Sequence, residues 1–438
     1  MTDDRTSDDQ GGAEFAHPVT LETPNPVNVV LDPAYRMPGH FDPARAVPEE
    51  ARPTDAPTDL EALRRIEELV GEFTTEYTAL TGAPPEFGPT CDEAALRAAE
   101  RELGVRLPED VRALYLLVGP GHADTGLLGL YGLVPLSRVV ASRFDRMDTW
   151  AAGVDLFGRD RVMLESVPHG RVRTGRRNAA WVVIADDQAG NDLAVDLDPA
   201  PGGRSGQVIA YGRDFDGPVG YVADSVSAHL ARVVEAFRRG DATWDAEEEY
   251  LSITVPDPSG VRYSRSVSVG SADVASLLAG TPSLDTLQRL YLNDADALDL
   301  RALAAVPHLR DLRVHRAGTV ELWLPGAVQA LRLDAREADL SAIAGHPALW
   351  DLVLSGHPVR AADLAALPAL RHLDLSRAEV DDVTALADLD LRVLTLNPGQ
   401  WRLLREAGPL PGRLAGVGLD GATRLADAVA WQRWITVT

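Results

Sequence analysis

Leu287-Gln288-Arg289-Leu290-Tyr291-Leu292 sets a pattern, L-x-x-L-x-L, that returns six times before the chain ends. The later copies are Leu309/Leu312/Val314, Val328/Leu331/Leu333, Leu349/Leu352/Leu354, Leu370/Leu373/Leu375, Leu391/Leu394/Leu396 and Leu414/Val417/Leu419. Successive copies begin 22, 19, 21, 21, 21 and 23 residues apart. Self-similarity at such a period marks a solenoid, in which each unit buries its apolar edge only against its neighbours. Alternate side chains of an extended segment share a face, so the second and third apolar positions of each copy point inward and those between them point out. Residues 300–303, 340–343 and 364–367 supply a second apolar edge between copies. Pro307, Pro347 and Pro368 each stand two residues before a new strand, where proline ends a helix and favours extended backbone. Such an array presents a long concave sheet to another macromolecule and seldom performs chemistry.

Over about residues 284–419 the array resembles the short bacterial kind of leucine-rich repeat. It departs from that family in lacking the Asn three residues after the third leucine, where Ala295, Ala317, Arg336, His357, Ala378 and Gly399 stand instead. Without that side-chain ladder a looser solenoid is expected. The outward positions form three rows: Arg289, Asp311, Ala330, Asp351, His372; Tyr291, Arg313, Arg332, Val353, Asp374; and Asn293, His315, Asp334, Ser355, Ser376. Tyr291, Arg313 and Arg332 are side-chain types enriched at binding hot spots. Together with Asp311, Asp334, Asp351 and Asp374 they are the expected partner-binding residues. Salt bridging between neighbouring strands, Arg332 with Asp311 or Asp351, is the equally weighted structural alternative.

The 438 residues have room for two or three domains. Acidic residues outnumber basic ones, 66 to 42, for a net charge of −24, and lysine is absent. All-arginine cations with heavy Ala, Gly and Pro usage read as codon bias in a high-GC bacterium. So negative a chain argues against nucleic acid or an anionic membrane as ligand and fits a basic protein partner. Cys91 is the only cysteine, which excludes an intrachain disulfide and a cysteine-rich zinc site. The acidic N-terminus has no apolar run and no segment approaches a membrane span, so a cytoplasmic location is expected.

Residues 1–56 read as a Pro-rich acidic tail, mostly extended, in which 29–31, Tyr35 and Phe41 have the means to drape over a folded neighbour. A helix follows Pro57, with a Thr58/Glu61 capping box and an apolar stripe from Leu60 to Leu80, ended by Gly82. A second helix carries a Thr90/Glu93 box and Gly104 at its end, and Pro108 opens a third. After Gly121 the pattern turns to strands: 181–185 and 193–197 flank a turn, 207–211 is another strand, and 225–239 closes the unit as a helix. Residues 241–283 read as linker and solenoid cap, and 284–438 as the repeat domain.

Four strings in 90–240 carry a second resemblance. They are residues 100–110 (ERELGVRLPED), 190–199 (GNDLAVDLDP), 205–215 (SGQVIAYGRDF) and 222–225 (VADS) leading into the closing helix. In this order they resemble the SUKH superfamily, in the branch of the fungal Smi/Knr-type cell-wall regulators. Gly119-Pro120 replaces the family's Asn-Gly, and Val226 its usual aromatic, which puts partner contacts at those two places in doubt. The resemblance implies an α+β SUKH domain (helices, then antiparallel sheet and closing helix) over 57–240, joined to an α/β leucine-rich repeat solenoid. It also implies binding without catalysis: bacterial members are similar to immunity proteins against toxins, many of them basic nucleases, and fungal members act as regulators.

Chemistry finds little support in the residues. Asp186, Asp187, Asn191, Asp192, Asp196 and Asp198 cluster, but not at calcium-loop spacing, and Asp and Asn cap turns well. Asp186, Asp187, Asp192 and Asp196 are read instead as an acidic surface facing a partner. No histidine pair has metal-ligand spacing, His122 and His169 are solitary, and no nucleophile–base pair can be nominated. No metal or cofactor is expected. The leading expectation is a protein that sequesters a basic toxin, the alternative a regulatory scaffold.

Overall fold

The computed structural model describes residues 26–35, 47–121, 125–142, 164–175, 178–215, 217–256, 263–271, 273–408 and 410–437. Phe41, His122 and residues 1–25 of the expected tail lie outside them. In chain order the first elements are β1 (Val27–Val30), α1 (Leu60–Thr81), α2 (Glu93–Leu103), α3 (Glu109–Leu117), β2 (Gly132–Leu133), β3 (Trp181–Asp186), β4 (Asn191–Asp196), β5 (Gln207–Gly212), β6 (Gly220–Ala223) and α4 (Val226–Arg239). A hairpin of β7 (Ala242–Asp245) and β8 (Tyr250–Ile253) follows. Then come β9 (Ser264–Gly270), α5 (Val274–Ala279), β10 (Arg289–Ala295), β11 (Ala297–Asp299), β12 (Asp311–Glu321), β13 (Ala330–Ala338), β14 (Asp351–Val359), α6 (Ala361–Ala365) and β15 (His372–Val380). The chain closes with β16 (Val393–Leu396), α7 (Pro398–Ala407), β17 (Gly416–Leu419) and α8 (Leu425–Val437).

β2 to β6 form an antiparallel sheet in sequence order. One face meets α1, α3 and α4 in a core that joins Ile66, Leu69 and Phe73 to Leu114, Ile184, Val195 and Val233. Its other face, with Trp181, Val183, Ala194 and Ile209, is covered as well, which is why β3 and β4 are buried at every position. The helix ends are built by local chemistry. Gly82 and Gly104 take left-handed backbone at the C-termini of α1 and α2, as glycine permits without a Cβ clash. The N-caps are not the threonines expected. Asp59 accepts from the amides of Glu61 and Ala62, and Asp92 from that of Ala95. Thr58 is turned inward because its hydroxyl accepts from Arg112 and its amide donates to Glu93.

The repeats stack as their spacing predicts. Ten described strands share one sheet, ordered β1-β17-β16-β15-β14-β13-β12-β10-β9, with β11 beside β12. From β9 to β17 the pairing is parallel. Leu290, Leu312, Leu331, Leu352, Leu373, Leu394 and Val417 are register partners in turn, and every one is fully buried. The looseness expected from the missing Asn is local. Register shifts fall between Val314 and Ala317, between Val353 and Ser355 and between Ser355 and Pro358, at or just after the third leucine, while the rungs of the second leucine stay aligned.

Two expected boundaries shift. The stretch read as linker and cap divides: Ala242, Leu251 and Ile253 of the β7–β8 hairpin join the core of the first sheet, and β9 is a parallel strand of the solenoid, Val267 opposite Leu292. Its Ser-Arg-Ser-Val-Ser-Val sequence lacks the leucine motif, and Val267 and Val269 face the solenoid core in its place. The described part of the tail is extended and drapes over a folded neighbour, as residues 29–31 and Tyr35 allow. β1 pairs antiparallel with β17, Val27 opposite Leu419, and shields the last sheet edge, which otherwise presents unpaired backbone groups.

Candidate functional site

Sheet register carries Tyr291, Arg313, Arg332, Val353 and Asp374 side by side across five strands, each step about 4.8 Å. They line a depression of about 480 Å3 together with His315, Asp334, Ser376, Arg377 and Asp420, among others. The Arg313 guanidinium lies 5.1 Å from the Tyr291 ring centroid and also reaches Asp311 at 3.0 Å. His315 Nδ1 is 3.3 Å from Asp334, and the Ser376 hydroxyl donates to Asp374 at 2.7 Å and lies 3.3 Å from Asp420. Arg377 approaches Asp420 at 3.7 Å. Arg313, Arg332 and Arg377 stand against Asp334, Asp374 and Asp420, so the formal charges of this lining cancel. Cross-strand pairing exists on this face: Asp311 pairs with Arg289 of the neighbouring strand and with Arg313 of its own.

The row beginning at Arg289, expected to face outward, is covered. Leu164 packs with Ala330 and Trp350, and Tyr35 packs on the same cluster and on Val393 and Ala415. The Tyr35 hydroxyl lies 3.1 Å from His372 Nε2, under the guanidinium of Arg392. Gln288 is fully buried and binds Ser166 twice, accepting from its amide at 2.9 Å and donating to its carbonyl at 2.7 Å. Next to it Arg289 pairs with Glu165 at 2.6 Å and with Asp311 at 3.0 Å. Burial pushes the Glu165 carboxyl up; Arg289 opposes that rise and the charge of Asp311 adds to it. Asp311 and Asp351 are therefore buried structural groups, and the reading of them as partner contacts is corrected. Both lie under segments whose sequences hold no sign of where they dock.

The acidic cluster of the first domain also splits. Asp186, Asp192 and Asp196 are buried, so they make no solvent-facing acidic surface. Asp186 is tied to Arg138 at 2.6 Å. Asp187, the exception, caps the β3–β4 turn by accepting from the amides of Ala189 and Asn191 and from the Asn191 side chain. Burial raises its carboxyl, but the Asn191 donors outweigh that and hold it below the ordinary range. Asp196 accepts from Gln207 and from the Asp198 amide. Among the described residues no group of three or more His, Cys, Asp or Glu is placed to hold a metal ion. No described helix is long and apolar enough to cross a membrane.

Asp196 yields a pH prediction. Burial pushes its carboxyl up to about 6, with the hydrogen bonds from Gln207 and Asp198 pulling the other way. In the unfolded chain the value is about 3.9. A carboxyl raised on folding stabilises the fold fully below about pH 4, and that contribution is lost as pH rises through 6. Following the Asp196 side-chain carbon by NMR should give a midpoint near 6; a midpoint near 4 would show that its two donors hold the ionised form.

Sequence reasoning missed the residues that join the parts: Gln288 with Ser166, Glu165 with Arg289, and Tyr35 with His372. Gln288 is recognisable afterwards as the polar residue directly before an outward arginine, but nothing in its spacing marks it.

The SMI1/KNR4 family (SUKH-1) model matches residues 90–232. A KNR4/SMI1 homolog of Yarrowia lipolytica is 42% identical over 87 residues, 20% of this chain and 12% of that protein. The cell wall biosynthesis/cell cycle regulator smi1 of Schizosaccharomyces pombe is 32% identical over 174 residues, 38% of this chain and 34% of that protein. The chain thus spans about a third or less of the length of these relatives. Among solved structures an internalin (inlF) of Listeria monocytogenes is similar at 24% identity and a TM-score of 0.24, covering 28% of this chain and 38% of that one, too low to carry a structural argument. The four strings in 100–225 and the helices-then-sheet order agree with the family match: residues 90–232 are an SMI1/KNR4 (SUKH-1) domain.

Proposed function

We propose that the chain is a non-enzymatic regulatory scaffold, with the SUKH-1 domain holding one protein partner and the concave face of a leucine-rich repeat solenoid another. The observation that carries this is the charge-balanced depression centred on Arg332, flanked by Tyr291 and Arg313 on one side and Asp374 on the other. Half-exposed arginine and tyrosine on a rigid sheet suit a mixed-charge protein surface, and the rigidity lowers the entropy lost on binding. Printed names of relatives of the first domain describe regulators of cell-wall and glucan synthesis, which supports the same reading. Toxin sequestration is the second reading. The net charge of −24 favours it through steering of a basic partner. The balanced concave lining does not, and the aspartates expected to steer such a partner are largely buried.

A photo-crosslinking residue at Val353, in the middle of the depression, tests the scaffold. Adducts with regulatory proteins of the native cell are expected, reduced at least tenfold in the Arg313→Glu/Arg332→Glu double variant. Adducts unaffected by that variant would sink the concave-face reading. Capture of a basic toxin domain, with protection on co-expression, would replace the scaffold by immunity.

A further inference from the structure

At the β17 end of the array, α7 and α8 enclose a cavity of about 360 Å3. Its wall is aromatic. Trp401 of α7 is 2% exposed and is fixed by its indole N–H, which donates to the Gly418 carbonyl at 2.8 Å. The rings of Trp431 and Trp434 on α8 stand 5.6 and 6.2 Å from it.

The rim is basic, in a chain of net charge −24. Arg402, Arg405 and Arg424 line the cavity against a single carboxylate, Asp427, and Arg424 is committed to it at 2.7 Å. Arg405 lies 5.3 Å from the centre of the Trp434 ring. Among the described residues neither Arg402 nor Arg405 has an ion pair. Indole faces beside uncompensated guanidinium groups suit an acidic peptide segment that carries an aromatic side chain.

The chain itself contains such a segment, and it starts at the cavity. Val27 of β1 is the register partner of Leu419, and Leu419 lines the cavity. The residues before Val27 therefore leave from within about one strand spacing, ~5 Å, of the lining. Residues 1–25 hold six acidic residues and one arginine, with Asp8, Asp9 and Glu14 leading to Phe15. The chain between Phe15 and Val27 spans up to about 40 Å when extended, ample to reach among the indoles. We propose that residues 1–25 bind back into this cavity, Phe15 entering beside Trp431 and Trp434 and the acidic side chains meeting Arg402 and Arg405. Tethering lets a weak contact suffice, because a short linker gives an effective concentration of order 1 mM. The segment continues the strap that β1 begins and closes the cationic cavity to other acidic chains. None of these residues belongs to the concave face, so the inference is independent of the scaffold reading.

The test is a photo-crosslinking residue at Phe15 in the full chain, with adducts mapped by mass spectrometry. Adducts on α7 and α8 within one molecule are expected, at a yield independent of protein concentration. The yield should fall at least about fivefold at about 1 M salt and in Arg402→Glu/Arg405→Glu. Should that variant unfold, Asp8→Asn/Asp9→Asn/Glu14→Gln, which alters no described contact, should give the same loss. Without the cross-linker, Phe15→Ala should shift the indole N–H resonances of Trp431 and Trp434. Adducts gathered elsewhere or scattered along the chain overturn the proposal, as do unmoved indole signals. A yield indifferent to salt and to both sets of charge changes does so too. Adducts between two molecules, rising with concentration, would put a second copy in the cavity and overturn the intramolecular assignment.

Discussion

Replacing Arg112 by alanine should destabilise the SUKH-1 domain by roughly 3–5 kcal/mol, the cost of leaving a buried charge without its partner. Arg112 is fully buried on α3, and its guanidinium ties α2 to the segment before α1. One nitrogen meets Glu100 at 2.5 Å, a second meets Glu93 at 2.6 Å, and Nε donates to the Thr58 hydroxyl at 3.1 Å. Glu100 is itself almost fully buried and accepts from the Leu107 amide at 2.8 Å, which fixes the turn between α2 and α3. With arginine removed, Glu100 keeps one donor and loses its counter-charge. The Arg112→Met/Glu100→Gln pair should cost clearly less than the sum of the single changes, since neither buried charge remains. A chain of two modules does not unfold in one step, so the measurement is amide exchange of α2 and α3 and not a global midpoint. Protection within about 1 kcal/mol of wild type in Arg112→Ala would show that water or neighbouring groups solvate the glutamates.

Removing residues 1–35 should loosen the far end of the solenoid by roughly 2–5 kcal/mol, the burial of Val29 contributing about 1.5–3 and that of the half-buried Tyr35 less. β1 supplies the last strand of the sheet, and the amides of Leu31 and Asp32 both donate to the Ala415 carbonyl. Asp32 pairs with Arg392 at 3.0 Å, and the Arg392 guanidinium lies 4.6 Å from the centre of the Tyr35 ring. Burial pushes the Tyr35 hydroxyl up to about 12, so it stays protonated beside His372 at physiological pH. Without this strap β17 becomes an open edge, and open edges pair with other copies. Light scattering should detect dimers or larger species, and exchange should accelerate in β16 and β17. A monomer with unchanged protection there would mean that β1 covers the edge without stabilising it.

The readings that held and those that failed differ in the range of the interactions behind them. Gly82 and Gly104 end their helices as expected because a left-handed C-cap is decided within a few residues. Thr58 was expected to cap α1 on the same local grounds. It does not, because Arg112, 54 residues away, takes its hydroxyl. Residues 263–269 read as a strand-like run within the cap of the first repeat edge, and β9 lies there; its full membership of the solenoid sheet was not legible because two valines, Val267 and Val269, stand where three leucines stand elsewhere. Asp186, Asp192 and Asp196 look like surface charge when read by type, yet they sit in a sheet buried on both faces.

The sequence by itself determined the rungs. A leucine pattern returning every 19 to 23 residues admits one arrangement in which all copies are buried at once, and Leu290 through Val417 adopt it. It also determined which residues point out, since alternation along a strand is a property of the backbone. Only the tertiary structure decided which outward row remains open. Tyr35 covers His372 from 337 residues away, and Ser166 reaches Gln288 across 122. No period or propensity reports on contacts at such separation, because they depend on where whole modules come to rest. That docking leaves the row from Tyr291 to Asp374 lining an open depression.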